Sequence, residues 1–99
     1  MVVANESIVM KDYLEEFSSG KTKVKGKLIN CNQEGEWVEY YSNGKIRRII
    51  NYKEGRKHGK SYEYKEDGEL DFCLDYFNGT LVMSSKISNL LSKLKLKRF

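Results

Sequence analysis

The chain has 99 residues, no proline, two cysteines and 32% charged residues, which predicts one globular domain over 1–99 and excludes a disulfide scaffold or a disordered chain. Its net charge of +4 is unevenly spread: residues 1–85 carry 13 basic and 14 acidic side chains, whereas 86–99 carries five basic side chains and no acidic one. No apolar run is long enough to cross a bilayer, and the start lacks the pattern of a signal peptide. We therefore expect a cytoplasmic protein whose Cys31 and Cys73 stay reduced.

Residues 7–18 admit two interpretations. Their apolar side chains have the spacing of an amphipathic helix: Met10, Tyr13, Leu14 and Phe17. The internal repeat described next instead makes 12–17 a strand. We favour the strand.

An internal repeat organises most of the chain. When the chain is aligned with itself so that Gly35 falls on Gly59, other glycines and tyrosines coincide without a gap: Tyr40 with Tyr64, Gly44 with Gly68, Tyr52 with Tyr76 and Gly55 with Gly79. A fainter match extends the register towards the N-terminus. The sequence therefore predicts three units, 11–34, 35–58 and 59–82, of which the first is degenerate.

Each unit has the pattern of a β-hairpin. Asn43-Gly44, Asp67-Gly68 and Asn78-Gly79 are pairs that tolerate the positive φ of hairpin turns. Between the turns, apolar and polar residues alternate. Counted by parity, one face carries Val24, Leu28, Val38, Tyr40, Ile46, Ile50, Tyr52, Tyr62, Tyr64, Leu70, Phe72, Leu74 and Tyr76. We predict a mainly β fold, an antiparallel meander forming one twisted sheet with a dry face and a wet face.

The repeated segment resembles MORN repeats, in the variant form of the YwqK-type antitoxin family. Ten residues carry the resemblance: Gly35, Trp37, Tyr40, Tyr41, Asn43, Gly44, Lys45, Tyr52, Gly55 and Gly59. The third unit departs from the pattern, with Ser61 in place of tryptophan and Lys65 in place of the second tyrosine. The resemblance implies hairpin repeats and an antitoxin-like protein that inhibits a toxin, a nuclease or a defence effector by binding it.

The C-terminal region is predicted to leave the repeat. Residues 80–83 close the last hairpin, and a helical face follows after a cap at Ser84 or Ser85: Ile87, Leu90, Leu91 and Leu94. A helix within 84–99 would cover the open end of the sheet, bind an anionic membrane or nucleic acid, or order on a partner. Its basic residues are Lys86, Lys93, Lys95, Lys97 and Arg98.

No catalytic constellation is apparent. His58 is the single histidine and lies in a charged turn, with no ligand-type residue at metal spacing and no nucleophile placed beside it. The glycines recur at the repeat spacing rather than as a phosphate loop. We predict a protein that is not an enzyme and uses no cofactor and no metal.

The candidate contacts are exposed aromatic and basic residues. Trp37 and Tyr41 share parity with the wet face, where they could anchor a partner or pack beneath the terminal helix. Arg48 breaks the apolar stripe, either as an arginine whose stem packs or as one in a partner groove. The predicted partner-binding set is Trp37, Tyr41, Lys45, Arg47, Arg48, Arg56, Lys57 and Lys60.

Three kinds of partner fit this surface. The leading prediction is a protein partner, and the alternative is a polyanion, nucleic acid or membrane, bound through the basic patches and the tail. The third is a second copy, joined through free sheet edges.

Overall fold

The computed structural model describes residues 7–86, with the side chains of 7–84. It contains one antiparallel sheet of seven strands, each paired with the next in chain order. The strands are β1 (Met10–Glu16), β2 (Thr22–Ile29), β3 (Asn32–Tyr40), β4 (Ile46–Lys53), β5 (Arg56–Tyr64), β6 (Leu70–Phe77) and β7 (Thr80–Lys86). The predicted β meander is therefore confirmed. Residues 7–86 form no helix, and so none that could cross a bilayer.

Both ends of the described region are strands. The strand interpretation of 12–17 is confirmed, because β1 pairs with β2 from Met10 to Glu16. The last hairpin closes as predicted, but the predicted cap at Ser84 or Ser85 is wrong, because both residues lie within β7. The predicted helical face, Ile87 to Leu94, lies outside the described residues.

The connections at one end of the sheet recur with the period of the predicted units. In the second unit Tyr41 N–H donates to Lys45 O over 2.8 Å and Gly44 N–H donates to Tyr41 O over 2.9 Å. The same two bonds recur in the turns 17–21 and 65–69. The glycine of each of these three turns has a φ between 92° and 99°, which only glycine adopts without strain. The sequence signal for these turns rests on that requirement.

The predicted division into one dry and one wet face is wrong, because β-bulges interrupt the alternation of side chains. Residues directly opposite each other in neighbouring strands project to the same face. Trp37 lies opposite Ile50, and its neighbour Val38 lies opposite Ile49. Val38 and Ile50 therefore project to opposite faces. A register shift beside Tyr40 produces the change, since it adds one residue to the opposing strand.

Each face carries about half of the predicted apolar stripe. The Trp37 face carries, besides Trp37 itself, Val24, Leu28, Ile50, Tyr52, Phe72, Leu74 and Tyr76. The Tyr62 face carries Val38, Tyr40, Ile46, Tyr62, Tyr64 and Leu70. The most buried side chains among the described residues all belong to the Trp37 face: Trp37 (5% exposed), Ile50 (6%) and Ser61 (3%). Since the Cα atoms span only 15 Å in the thinnest direction, the core is a row of side chains lying on one sheet.

Candidate protein-interaction surface

Trp37 is part of the core. Its ring covers Gly26 of the neighbouring strand, where an added Cβ would overlap the indole. The rings of Tyr13 and Tyr52 lie 5.1 Å and 6.1 Å away, and the indole N–H donates to Lys27 O over 3.0 Å. The prediction that Trp37 shares the wet face is therefore wrong. A side chain 5% exposed has little surface to offer a partner.

Arg48 pairs with carboxylates of its own sheet. Its guanidinium lies 3.5 Å from Glu39 Oε1 and 3.7 Å from Glu63 Oε2, and all three side chains are about one-third exposed. The two glutamates occupy equivalent positions of successive units and lie on the strands flanking Arg48. The stem therefore packs on the Trp37 face while the charge is neutralised within the protein. Arg48 is therefore not a free cation available to a partner.

Lys60 is also committed within the sheet. Its ammonium lies 3.2 Å from Asp75 Oδ2 on the next strand. The hydrogen bond to Asp75, followed by the attraction of that carboxylate, raises the pKa of Lys60 above its ordinary value. Because the pair is exposed, water and salt screen it.

The turn after β3 is bound to the third unit by three side chains. The Tyr41 hydroxyl donates to Tyr64 O over 2.6 Å, and the Asn43 amide donates to Glu66 O over 3.1 Å. The Lys45 ammonium donates to Asp67 O over 3.0 Å. All three acceptors are backbone carbonyls of the next unit. These three hydrogen bonds therefore fix the turn against the third unit.

Arg47, the second residue of β4, lies beside this turn and forms a cluster with Tyr41 and Lys45. Its guanidinium carbon lies 5.9 Å from the centre of the Tyr41 ring, a cation–π distance. Arg47 and Lys45 are exposed, and neither forms a salt bridge with any residue in the described part of the chain. We call Tyr41, Lys45 and Arg47 the Tyr41 platform.

Arg56 and Lys57 lie at the other end of the sheet. They begin β5, after the turn at Glu54-Gly55, whereas the Tyr41 platform adjoins the start of β4. Arg56 lies opposite Lys53, six residues along β4 from Arg47, so Arg47 and Arg56 are about 20 Å apart. The Lys57 ammonium lies 5.1 Å from the Tyr76 ring. The predicted set of eight is therefore split into three groups: the Tyr41 platform, Arg56 with the half-buried Lys57 at the other end of the sheet, and three residues bound within the sheet (Trp37, Arg48 and Lys60).

His58 has a structural position that the sequence did not indicate. Its Nδ1 accepts a hydrogen bond from Asn78 N–H over 3.1 Å, and its ring lies 5.1 Å from Phe77. One unit earlier, Glu34 Oε1 accepts from Glu54 N–H over 2.9 Å at the equivalent place. The register of the repeat aligns these acceptors and could have revealed them. Within residues 7–86 no group of acidic, histidine and cysteine side chains could hold a metal ion.

The predicted basic tail falls largely beyond the described part. Lys86 ends β7, and its side chain is outside the described residues, as are Lys93, Lys95, Lys97 and Arg98. Comparisons with protein-family models, curated proteins and solved structures find no match to the chain. The resemblance to MORN repeats therefore stays a prediction from the residues that carry it.

Proposed function

We propose that the chain is a non-enzymatic protein-binding module that inhibits an effector protein in the cytoplasm by occupying its surface. The observation that supports the proposal is the Tyr41 platform: Tyr41 and Lys45 on a turn fixed by hydrogen bonds, with Arg47 at the start of β4 lying against the Tyr41 ring. Tyrosine and arginine are enriched among the residues that dominate binding energy at protein interfaces. The antitoxin-like role rests on the resemblance to the YwqK-type family.

Rigidity is what the platform contributes to affinity. Ordering a long side chain at an interface costs about 0.5–1.5 kcal/mol, and a side chain already held in place loses less freedom on binding. Tyr41 is fixed by its bond to Tyr64 O, and the stacked ring restricts Arg47. A partner carboxylate would meet a guanidinium already in position, and could bind it through two hydrogen bonds.

Charge on the next turn suggests what kind of partner surface fits. Glu66, Asp67 and Glu69 lie on the turn to which the platform is bonded. Basic and acidic groups are therefore neighbours along one end of the sheet. This pattern complements a partner with an acidic patch beside a basic one, and opposite charges of this kind fix the orientation of docking. A continuous phosphate backbone would meet repulsion at the third unit.

Affinity capture from the native host, followed by titration of the captured protein, tests the proposal. The variant Arg47→Glu should weaken binding of that protein at least tenfold, because it reverses the charge of the proposed anchor. Arg56→Glu is the matched control, since it makes the same change at the opposite end and should leave the affinity within about twofold. Equal losses in both variants, or no loss in either, would contradict the platform.

Salt dependence separates the protein partner from the polyanion. Binding to single-stranded DNA or to anionic vesicles would weaken steeply with salt, with a log–log slope near 0.7 per neutralised phosphate on a single strand. An interface anchored by Arg47 on Tyr41 should lose no more than about tenfold in affinity between 50 and 200 mM salt. Tight, steeply salt-dependent binding to DNA or vesicles without a protein partner would replace the proposal with the polyanion alternative.

A further inference from the structure

The outer edge of β1 presents apolar side chains and backbone groups that can pair. Three of its side chains are exposed: Met10 (59%), Tyr13 (37%) and Leu14 (58%). Asn30 N–H donates to Val9 O over 2.8 Å, so the backbone groups of odd-numbered residues in β1 point to β2. Those of the even-numbered residues point outward, where no strand among residues 7–86 pairs with them. Such an edge can take up one further strand.

The charges of β1 distinguish it from the other edge strand. β1 carries both signs, with Lys11 near its start and Glu15 near its end. Lys11 forms no salt bridge with any residue of the described range 7–84. β7 also exposes apolar side chains, but within 80–86 it has one charged residue. Opposite charges directly across a strand pair stabilise it and like charges destabilise it, so the charges of β1 can select a register.

One register with a second copy of β1 satisfies these charges. In an antiparallel pair of identical strands, the outward-pointing even-numbered residues must face one another, so one residue lies opposite itself. Centring on residue 11, 12 or 14 opposes like charges directly: Lys11 with Lys11, Asp12 with Asp12, or Asp12 with Glu16. Centring on Tyr13 places Lys11 opposite Glu15 of the second copy, twice by symmetry, and opposes no like charges.

We propose that the chain forms a two-fold dimer in which two β1 strands pair antiparallel about Tyr13. The two Tyr13 side chains lie opposite each other, and each ring is 5.1 Å from its own Trp37. The two-fold axis is perpendicular to the sheet, so the Trp37 face continues from one copy into the other. On the Tyr62 face, Leu14 lies diagonally across from Leu14 of the second copy, within reach of a side-chain contact. The dimer therefore covers the exposed Tyr13 and Leu14.

This interface is independent of the proposed function. The Tyr41 platform adjoins the start of β4, three strands away from β1 in the order of the sheet. Both platforms of the dimer stay accessible, and a variant that separates the two copies leaves each platform intact. Loss of the dimer and loss of partner binding can therefore be measured separately.

A charge exchange tests the interface, with sedimentation equilibrium of the full chain as the measurement. Lys11→Glu places a glutamate opposite Glu15 at two symmetric positions, and should raise the dimer dissociation constant at least tenfold. Lys11→Glu/Glu15→Lys restores opposite charges and should return the constant to within about threefold of the wild type. Lys53→Glu makes the same change on an exposed strand residue three strands away, and should alter the constant by less than about twofold.

Disulfide trapping tests the register. Residue 13 lies opposite itself in a non-hydrogen-bonded pair, the kind in which side chains are closer. Tyr13→Cys, made with Cys31→Ser and Cys73→Ser, should therefore form a disulfide between chains nearly completely under mild oxidation. Lys11→Cys in the same background is the matched control. Its two thiols are about 13 Å apart along the strands and should stay reduced.

Three outcomes would overturn the proposal. The first is a wild type that stays monomeric up to about 1 mM. The second is a disulfide in Lys11→Cys but not in Tyr13→Cys, which would show a different register. The third is a series of species that grows beyond the dimer with concentration, because β1 paired with β7 of another copy does not close.

Discussion

Trp37 and Ser61 occupy equivalent places in successive units, yet one is the largest side chain of the row and the other among the smallest. The strand preceding each of them shows the reverse. Trp37 lies over Gly26, whereas Ser61 lies beside Ile50. The large side chain stands on β3 in the first pair and on β4 in the second. The units are thus equivalent in strand register, but not in the side chain that each position carries.

The two sites also differ in how their polar atoms are satisfied. The Trp37 indole N–H reaches Lys27 O, so the large side chain brings its own hydrogen-bond partner. The Ser61 hydroxyl is buried and has no partner within the described residues. Unpaired buried hydroxyls are unfavourable. The second unit thus pairs the polar atom of this site, and the described residues of the third unit do not.

Removal of the Trp37 side chain should cause the largest loss of stability. Trp37→Ala is expected to lower the free energy of unfolding by about 3–5 kcal/mol, because it leaves a large gap over Gly26 and between two tyrosine rings. Urea denaturation followed by circular dichroism measures the loss. Phe77→Ala, at a side chain 59% exposed, is the control and should cost much less. Similar losses at both positions would mean that the Trp37 row is not the core.

A methyl group at Gly26 tests the contact between Gly26 and the Trp37 ring directly. Gly26→Ala should destabilise the protein by about 1–3 kcal/mol, because the new Cβ overlaps the indole. In a Trp37→Ala background the same change should cost little or stabilise slightly, since glycine is unfavourable in a strand. A double-mutant cycle in urea gives the coupling. Additive effects would show that Gly26 has another role.

A third variant tests whether the buried hydroxyl of Ser61, at the position equivalent to Trp37, lowers stability. Ser61→Ala should raise the free energy of unfolding by up to about 1 kcal/mol, because it removes a buried hydroxyl without a protein partner among the described residues. Exposed Ser42, in the second unit, is the control, and its alanine variant should change little. A loss of stability in Ser61→Ala would mean that the hydroxyl is satisfied, for example by a bound water molecule.

The smallest expected effect concerns the exposed pair on the Tyr62 face. The raised pKa of Lys60 means that its pairing with Asp75 stabilises the fold fully below the ordinary lysine pKa. This contribution is lost as the pH rises through the folded-state pKa. Tyr13, whose pKa is raised by its hydrogen bond to Glu15, loses its contribution in the same alkaline direction. Thermal melts of Lys60→Gln and the wild type should differ slightly at neutral pH and converge in strong alkali.

Most of the turns were readable from the sequence because glycine marks them, whereas the turn between β2 and β3 has no glycine and places Asn30 and Cys31 at positive φ. Gly44 and Gly68 have φ values that other residues adopt only with strain, so their spacing indicated the hairpins. The face to which each side chain projects could not be predicted, because no residue type in the sequence signals the β-bulge opposite Tyr40. For the candidate site, the sequence showed which residues are basic, but not which of them pair with carboxylates of the same sheet. Arg48 is neutralised by Glu39 and Glu63 through cross-strand neighbours that parity alone misassigned.

The hydrogen bonds that join the second unit to the third bear on how such a chain can change in length. Tyr41, Asn43 and Lys45 donate to main-chain carbonyls of the following turn, which every amino acid supplies. These joints therefore place little demand on the identity of the module that comes next. If the second unit were duplicated, its donors would meet the same main-chain acceptors in the copy that follows it. Growth by whole modules is thus compatible with this architecture, and each added module is free to diversify its outward-facing residues.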